Sequence, residues 1–83
     1  MIIYKFPIDN DTTIQVPHNA LFLHAGEQDG SLYIWVQLDP TASKVSRTIQ
    51  VVPTGLQFDH NRLTYFQTVQ MRNGLVFHVY LQQ

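Results

Sequence analysis

An alternation of apolar and polar residues with a period of two runs through almost the whole chain, and it constrains the fold more than any other feature. It is clearest in residues 31–39, where Leu32, Ile34, Val36 and Leu38 alternate with polar or amphipathic residues. Successive side chains of a strand point to opposite faces, so this pattern predicts a strand with one face on a core. No segment of helical length carries an apolar stripe of period 3.6. The pattern therefore predicts an all-β fold.

Turn signals divide this pattern into short strands. Asp29-Gly30 and Asn73-Gly74 are dipeptides typical of tight β-hairpins, the first because both central residues adopt positive φ. The predicted strands are residues 2–8, 14–16, 20–28, 31–39, 47–52, 62–71 and 75–82. Seven strands spaced about ten residues apart predict a compact antiparallel sandwich or a partly closed barrel. The length of 83 residues allows one domain, residues 1–83.

The small size and the lack of cysteine together predict self-association. A chain of this length buries only about three-fifths of the surface that its unfolded form exposes. Disulfides, metals or partner subunits usually supply the missing stability. With no cysteine in the chain, disulfides, thiolate zinc sites and thiol nucleophiles are excluded. We therefore expect a homo-oligomer.

Charge and hydropathy exclude further classes. The net charge is −1 and the five Lys and Arg residues are dispersed, whereas duplex nucleic acid requires a basic face. No apolar run approaches the roughly 20 residues that span a bilayer. The first residues lack the features of a secretory signal. These observations predict a cytoplasmic protein that binds neither duplex nucleic acid nor membranes.

The most informative residues lie on the second face of two strands. In a sheet that packs one face on a core, the other face is ordinarily polar. Here that outer face carries Tyr33 and Trp35 in one strand and His78 and Tyr80 in the last. Aromatic residues with a polar group are enriched at interfaces and ligand sites. Three interpretations are open: a face buried inside a barrel, a subunit interface, or a ligand pocket.

A second candidate site is the turn that contains Thr54 and Gly55. A turn of this kind can present backbone N–H groups and a hydroxyl to an anion, and Arg47 precedes it by one strand length. These three residues form a candidate phosphate-contact set. The alternative is an ordinary turn in which Gly55 only supplies positive φ.

The residues give little support for a metal, a cofactor or catalysis. The four histidines are dispersed, and closed zinc sites usually include cysteine. The serines lack a nucleophile elbow, and no glycine-rich phosphate loop is present. We therefore expect a protein that is not an enzyme and has no metal or cofactor.

Several short motifs follow one another in a distinctive order: Tyr4-Lys5-Phe6-Pro7, Ile14-Gln15-Val16-Pro17, Leu32-Tyr33-Ile34-Trp35-Val36 with Asp39-Pro40, Arg47, Thr54-Gly55 and Gly74-Leu75-Val76-Phe77-His78-Val79. This order resembles a family of small all-β proteins of unknown function encoded mostly by bacteriophages and prophages. The likeness covers nearly the whole chain. It departs after Thr54-Gly55, where Leu56-Gln57-Phe58 replaces the longer polar segment of other members.

The resemblance implies a phage setting in a host cytoplasm, and it leaves three functions open. The first is a phage accessory protein that counters host defence by sequestering a nucleotide-type immune signal in an oligomer. Aromatic rings would stack on a base, and Arg47 with the Thr54 turn would hold phosphate. The second is an inhibitor that binds a host defence complex through Tyr33, Trp35 and Tyr80. The third is a structural or assembly role in the virion.

Overall fold

The computed structural model describes all residues, 1–83, and contains seven β-strands and no helix. The strands are β1 (Ile2–Pro7), β2 (Asp11–Val16), β3 (Leu21–Gln28), β4 (Ser31–Leu38), β5 (Val45–Pro53), β6 (Leu63–Gln70) and β7 (Val76–Gln82). The predicted all-β class and the number of strands are confirmed. No helix with the length and apolar character needed to cross a membrane is present.

The strands form two antiparallel sheets. Sheet A has the order β1-β4-β3, and sheet B has the order β2-β5-β7-β6. The Cα atoms extend over 39 × 31 × 15 Å. The thin dimension fits two stacked sheets, which pack about 10 Å apart. Of the two predicted architectures, the molecule is the sandwich and not a closed barrel.

The core lies between the sheets and follows the alternation in the sequence. In β4, Leu32, Ile34, Val36 and Leu38 point inward and are buried, while their neighbours are only half-buried or exposed. Ile49, Val51 and Val79 of sheet B face them. The core is small, since 15 of the 83 residues are buried. A core of this size leaves much apolar surface at the exterior.

The two sheets are joined along both sides. On one side the chain passes directly from β1 to β2: the Ile8 N–H donates to the Leu32 carbonyl in sheet A, and the Asn10 carbonyl accepts from Val51 in sheet B. On the other side β3 and β6 are the edge strands, and a side chain connects them. The Gln67 amide accepts from the Ala25 N–H at 2.8 Å and donates to the Ala25 carbonyl at 2.6 Å. The Gln67 side chain thus makes the two hydrogen bonds to Ala25 that a residue of a neighbouring strand would make in a β-ladder.

The two predicted hairpins are present, but their turns differ. Asp29 and Gly30 have φ of 53° and 84°, as a two-residue type I′ turn requires. In the second hairpin the φ of Gly74 is 93°, whereas the φ of Asn73 is not positive. The Met71 N–H donates to the Leu75 carbonyl, so three residues form this loop. The glycine therefore closes a three-residue loop of the kind that ends in a left-handed residue.

Candidate functional site

The four aromatic residues singled out in the sequence lie on two opposite faces of the sandwich. Tyr33 and Trp35 are on the outer face of sheet A, because β4 belongs to that sheet. His78 and Tyr80 are on the outer face of sheet B, because β7 belongs to the other sheet. All four are half-buried. None is enclosed in the core, and the two pairs form two separate surfaces.

The outer face of sheet A follows from the register of its three strands. Residues paired across strands point to the same face. Three rows lie across this face: Ile3, Gln37 and Leu21; then Lys5, Trp35 and His24; then Pro7, Tyr33 and Gly26. The middle row places Trp35 at the centre of the face. We call the nine residues of these rows the Trp35 face.

Three rings lie together on the Trp35 face, with a cation beside them. The ring centroid of Trp35 is 5.6 Å from that of His24 and 6.2 Å from that of Tyr33. The Lys5 ammonium lies over the Tyr33 ring, 4.5 Å from its centroid, and donates to the Gln28 side-chain oxygen at 2.6 Å. A cation over an aromatic face is attracted by the ring quadrupole. The Lys5 ammonium is therefore held next to the rings and not at the edge of the sheet.

Gly26 makes room for the His24 ring. A Cβ atom at Gly26 would lie 2.8 Å from His24 Nε2, closer than real Cβ contacts. The ring thus rests over the bare backbone of the next outward-facing position of β3. This is the packing that lets His24 approach Trp35.

The outer face of sheet B carries a chain of hydrogen bonds through His78. His78 Nε2 lies 2.7 Å from the Thr54 hydroxyl, and Nδ1 lies 3.0 Å from the Thr68 hydroxyl. The Thr54 hydroxyl donates to the Val76 carbonyl, so it accepts from the Nε2–H of His78, while Nδ1 and the Thr68 hydroxyl share the second hydrogen bond. The Tyr65 and Thr68 hydroxyls, 2.7 Å apart, share a further hydrogen bond. Every polar side-chain group in this chain of hydrogen bonds thus has a partner.

Tyr80 lies beside this chain and packs against two other rings. Its centroid is 5.3 Å from that of Phe58, in the segment that follows β5, and 5.6 Å from that of Tyr65. Tyr65 is exposed, whereas Tyr80 is half-buried. This second surface is therefore aromatic and hydroxyl-rich, with its polar groups largely bonded to one another.

The candidate phosphate-contact residues do not come together in the single chain. Arg47 lies near the start of β5, and Thr54 follows its end, about 23 Å away along an extended strand. Arg47 points toward the opposite sheet, where its guanidinium lies 5.0 Å from the Phe22 ring centroid. The Thr54 N–H and hydroxyl both donate to the Val76 carbonyl. Gly55 has a φ of 91°, which fits its alternative role in the turn.

An open cleft of about 410 Å³ separates the edges of β3 and β6. Its lining is mostly polar and includes Glu27, Asp29, Thr68 and Gln70. The Glu27 carboxylate accepts from the Arg72 N–H at 2.6 Å and pairs with its side chain at 3.7 Å. No group of three or more His, Cys, Asp or Glu residues is placed to hold a metal ion. Glu27 of β3 and Arg72, just after β6, thus pair with each other across the seam.

Lys5 and His24 lie on the Trp35 face but were not predicted as site residues from the sequence. Lys5 is an ordinary polar residue in its strand pattern, and only the pairing of β1 with β4 places it beside the rings. His24 is in register with Trp35 because the pairing shifts between Phe22 and His24, which is a β-bulge. The Gly26 two residues later was the available signal, since glycine within a strand often marks a bulge or a close approach.

Comparison with known proteins gives one family and no characterised relative. The sequence pattern of a family described as a domain of unknown function (DUF7352) matches residues 1–83. No curated protein matches the chain. No solved structure matches it either.

Proposed function

The chain belongs to the DUF7352 family, a domain of unknown function, and we propose that it is a non-enzymatic binding protein that contacts its ligand through the Trp35 face. One observation carries the proposal: Trp35, His24 and Tyr33 lie together with the Lys5 ammonium on the outer side of a sheet. Outer sheet faces are ordinarily polar. Three rings at such a position favour contact with a molecule outside the chain.

The ligand class that fits this chemistry is a small nucleotide. Stacking of a base on an aromatic side chain contributes about 1–3 kcal/mol and tolerates any base. Lys5 supplies the cation that we expected from Arg47, and it lies beside the rings. Its hydrogen bond is to a neutral amide, Gln28, which a phosphate oxygen can replace with a stronger charge-assisted bond. Base and phosphate would then be bound on one face.

The resemblance to phage-encoded proteins gives this binding a setting. A protein of a phage that sequesters a nucleotide-type immune signal in the host cytoplasm would act against host defence. Sequestration requires binding without turnover, which agrees with a face of rings and one cation. A homo-oligomer would present several such faces per particle.

Trp35 allows a direct test, because it is the only tryptophan. We expect its fluorescence to change saturably when cyclic di- and trinucleotides or ADP-ribose derivatives are added, with matching heat in calorimetric titration. Trp35→Leu and Lys5→Met should abolish the heat, while Tyr65→Leu on the opposite face should leave it unchanged. Each variant is first shown to be folded by circular dichroism. A folded wild-type protein that gives neither signal with any of these nucleotides refutes this ligand class.

A second candidate is a protein-binding inhibitor of a host complex, and the shape of the Trp35 face favours it. The face is an open sheet surface bordered by Ile3 and Leu21, both exposed. Apolar residues around central aromatics are typical of protein interfaces. Under this alternative a defined host protein is retained stoichiometrically by the immobilised domain and lost with Trp35→Ala. Retention of nucleotide with no protein partner contradicts it.

A further inference from the structure

Strand β1 is an open edge with an unusual amount of exposed apolar surface. It is the outer strand of sheet A and pairs only with β4. Its first residues are apolar and exposed on both faces: Ile2 by 40%, Ile3 by 55% and Tyr4 by 42%. The corresponding free edge of sheet B is β2, where Asp11, Thr13 and Gln15 are exposed instead. Long apolar edges invite pairing with another strand, and β1 is such an edge.

The pairing with β4 fixes which backbone groups of β1 are free. The Ile8 N–H donates to the Leu32 carbonyl, so even-numbered residues of this register are the hydrogen-bonded pairs. The N–H and carbonyl groups of Ile3 and Lys5 therefore point away from β4. The backbone of Pro7 also faces away from β4, but it offers only a carbonyl because proline has no N–H. Two residues thus present complete donor and acceptor pairs to a neighbouring strand.

The lysine that would ordinarily protect such an edge is turned away from it. Lysines on edge strands prevent pairing when their charge projects at the edge. The Lys5 ammonium instead reaches inward across β4, over the Tyr33 ring, to Gln28 on β3. The lysine charge therefore does not project at the free edge, and Pro7 limits the length of strand available for pairing.

We propose that two copies of the chain pair antiparallel through β1, with Tyr4 opposite Tyr4 of the partner subunit. Ile3 of each copy then exchanges both backbone hydrogen bonds with the partner subunit's Lys5, four bonds in total. Shifting the register to extend toward Pro7 places Lys5 opposite Lys5 of the partner subunit, and like charges directly opposite are unfavourable. Shifting it the other way leaves fewer residues of β1 paired. The register centred on Tyr4 avoids both losses.

The size of the core gives the reason for this assembly. The chain exposes 5435 Å², slightly more than the about 5,100 Å² that the scaling for monomeric proteins gives for its mass. Pairing through β1 covers the exposed Ile2, Ile3 and Tyr4 side chains at once. It also joins the two copies of sheet A into a six-stranded sheet with both Trp35 faces on the same side. The inference rests on the free backbone groups of β1 and does not require that the Trp35 face bind a nucleotide.

Cysteine cross-linking tests the register, since the native chain has no cysteine. In the proposed dimer, Tyr4 and Tyr4 of the partner subunit form a non-hydrogen-bonded pair with Cα atoms about 4.5 Å apart. This separation lies within the roughly 4.4–6.8 Å that a disulfide spans. The two Ile3 residues lie two steps apart along the strands, about 8 Å. Tyr4→Cys should therefore form a covalent dimer under mild oxidation, and Ile3→Cys, the matched control on the same strand, should not.

A proline substitution tests the hydrogen bonds. The Ile3 N–H points away from β4, so Ile3→Pro removes it without breaking the ladder of sheet A. Ile3→Ala loses the same side chain and keeps the N–H. Light scattering across a concentration series should give a dimer for the wild-type chain, with a dissociation constant roughly thirty-fold weaker in Ile3→Pro than in Ile3→Ala. Circular dichroism confirms that both variants are folded.

Three results would overturn the inference. One is a wild-type chain that stays monomeric at all concentrations while Tyr4→Cys fails to cross-link. Another is a dimer that Ile3→Pro and Ile3→Ala weaken equally, because that dimer uses a different surface. The last is equal cross-linking by Tyr4→Cys and Ile3→Cys, because the strands then have no defined register.

Discussion

Replacing Gln67 with methionine should open the seam between the two sheets. The Gln67 amide makes both hydrogen bonds to the Ala25 backbone, at 2.8 and 2.6 Å, and these are the hydrogen bonds that bridge the edges of β3 and β6 at this point. Methionine has a similar length and volume but no amide. The substitution therefore removes the two bonds without leaving a large cavity.

The size of the effect follows from the partial burial of these groups. A net hydrogen bond contributes about 1 kcal/mol, and a buried group left unpaired costs about 1–3 kcal/mol. The cleft beside Gln67 is open, so water can reach the freed Ala25 groups and reduce the penalty. We expect a loss of about 2 kcal/mol in the free energy of unfolding, equivalent to a lowering of Tm by roughly 8–16 °C in a domain of this size.

Urea denaturation followed by Trp35 fluorescence measures this loss, and hydrogen exchange locates it. The Ala25 amide should lose protection in Gln67→Met. Gln70→Met is the matched control, since Gln70 is exposed on the same strand. If Gln67→Met costs no more than Gln70→Met, the side-chain bridge does not hold the sheets together and our account of the seam is wrong.

Two further predictions concern single side chains. Gly26→Ala should push the His24 ring away from Trp35, since the new Cβ would lie 2.8 Å from Nε2; the Trp35 emission should then change while the unfolding midpoint shifts little, and unchanged emission would contradict the contact. The Thr41 backbone N–H and hydroxyl hold the pKa of Asp39 below its usual range. A lowered folded pKa stabilises the fold above about pH 4, and this contribution is lost as the pH falls through the folded value. Thr41→Val should raise the pKa of Asp39 in an NMR titration, and an unaltered pKa would show that the hydroxyl has no part in it.

The fold was predictable because alternation and turn residues are local signals. The strand predicted at residues 31–39 is β4, Ser31–Leu38, with the expected four residues buried. The two hairpins follow from Asp29-Gly30 and Asn73-Gly74. The choice of a sandwich was not predictable, because it depends on non-local pairing such as that of β5 with β7. Alternation fixes which face of a strand is buried but not which strand lies beside it.

The candidate site was predictable only in part, for the same reason. That Tyr33 and Trp35 share an outward face follows from their spacing along β4. That His78 and Tyr80 lie on the opposite side of the molecule depends on the division of strands between the two sheets. The partnership of Lys5 with Tyr33 depends on the β1–β4 register, and that of His24 with Trp35 on a bulge. No spacing in the sequence encodes these contacts between strands.

The most direct test of our account is the NMR signal of the Trp35 indole N–H, a single peak because the chain has one tryptophan. If the Trp35 face is the contact surface, this peak shifts saturably as a cyclic dinucleotide, cyclic trinucleotide or ADP-ribose derivative is added, and it stays in place in Lys5→Met. A peak that stays fixed with every nucleotide, and with any host protein that the domain retains, contradicts the claim that this face binds a partner.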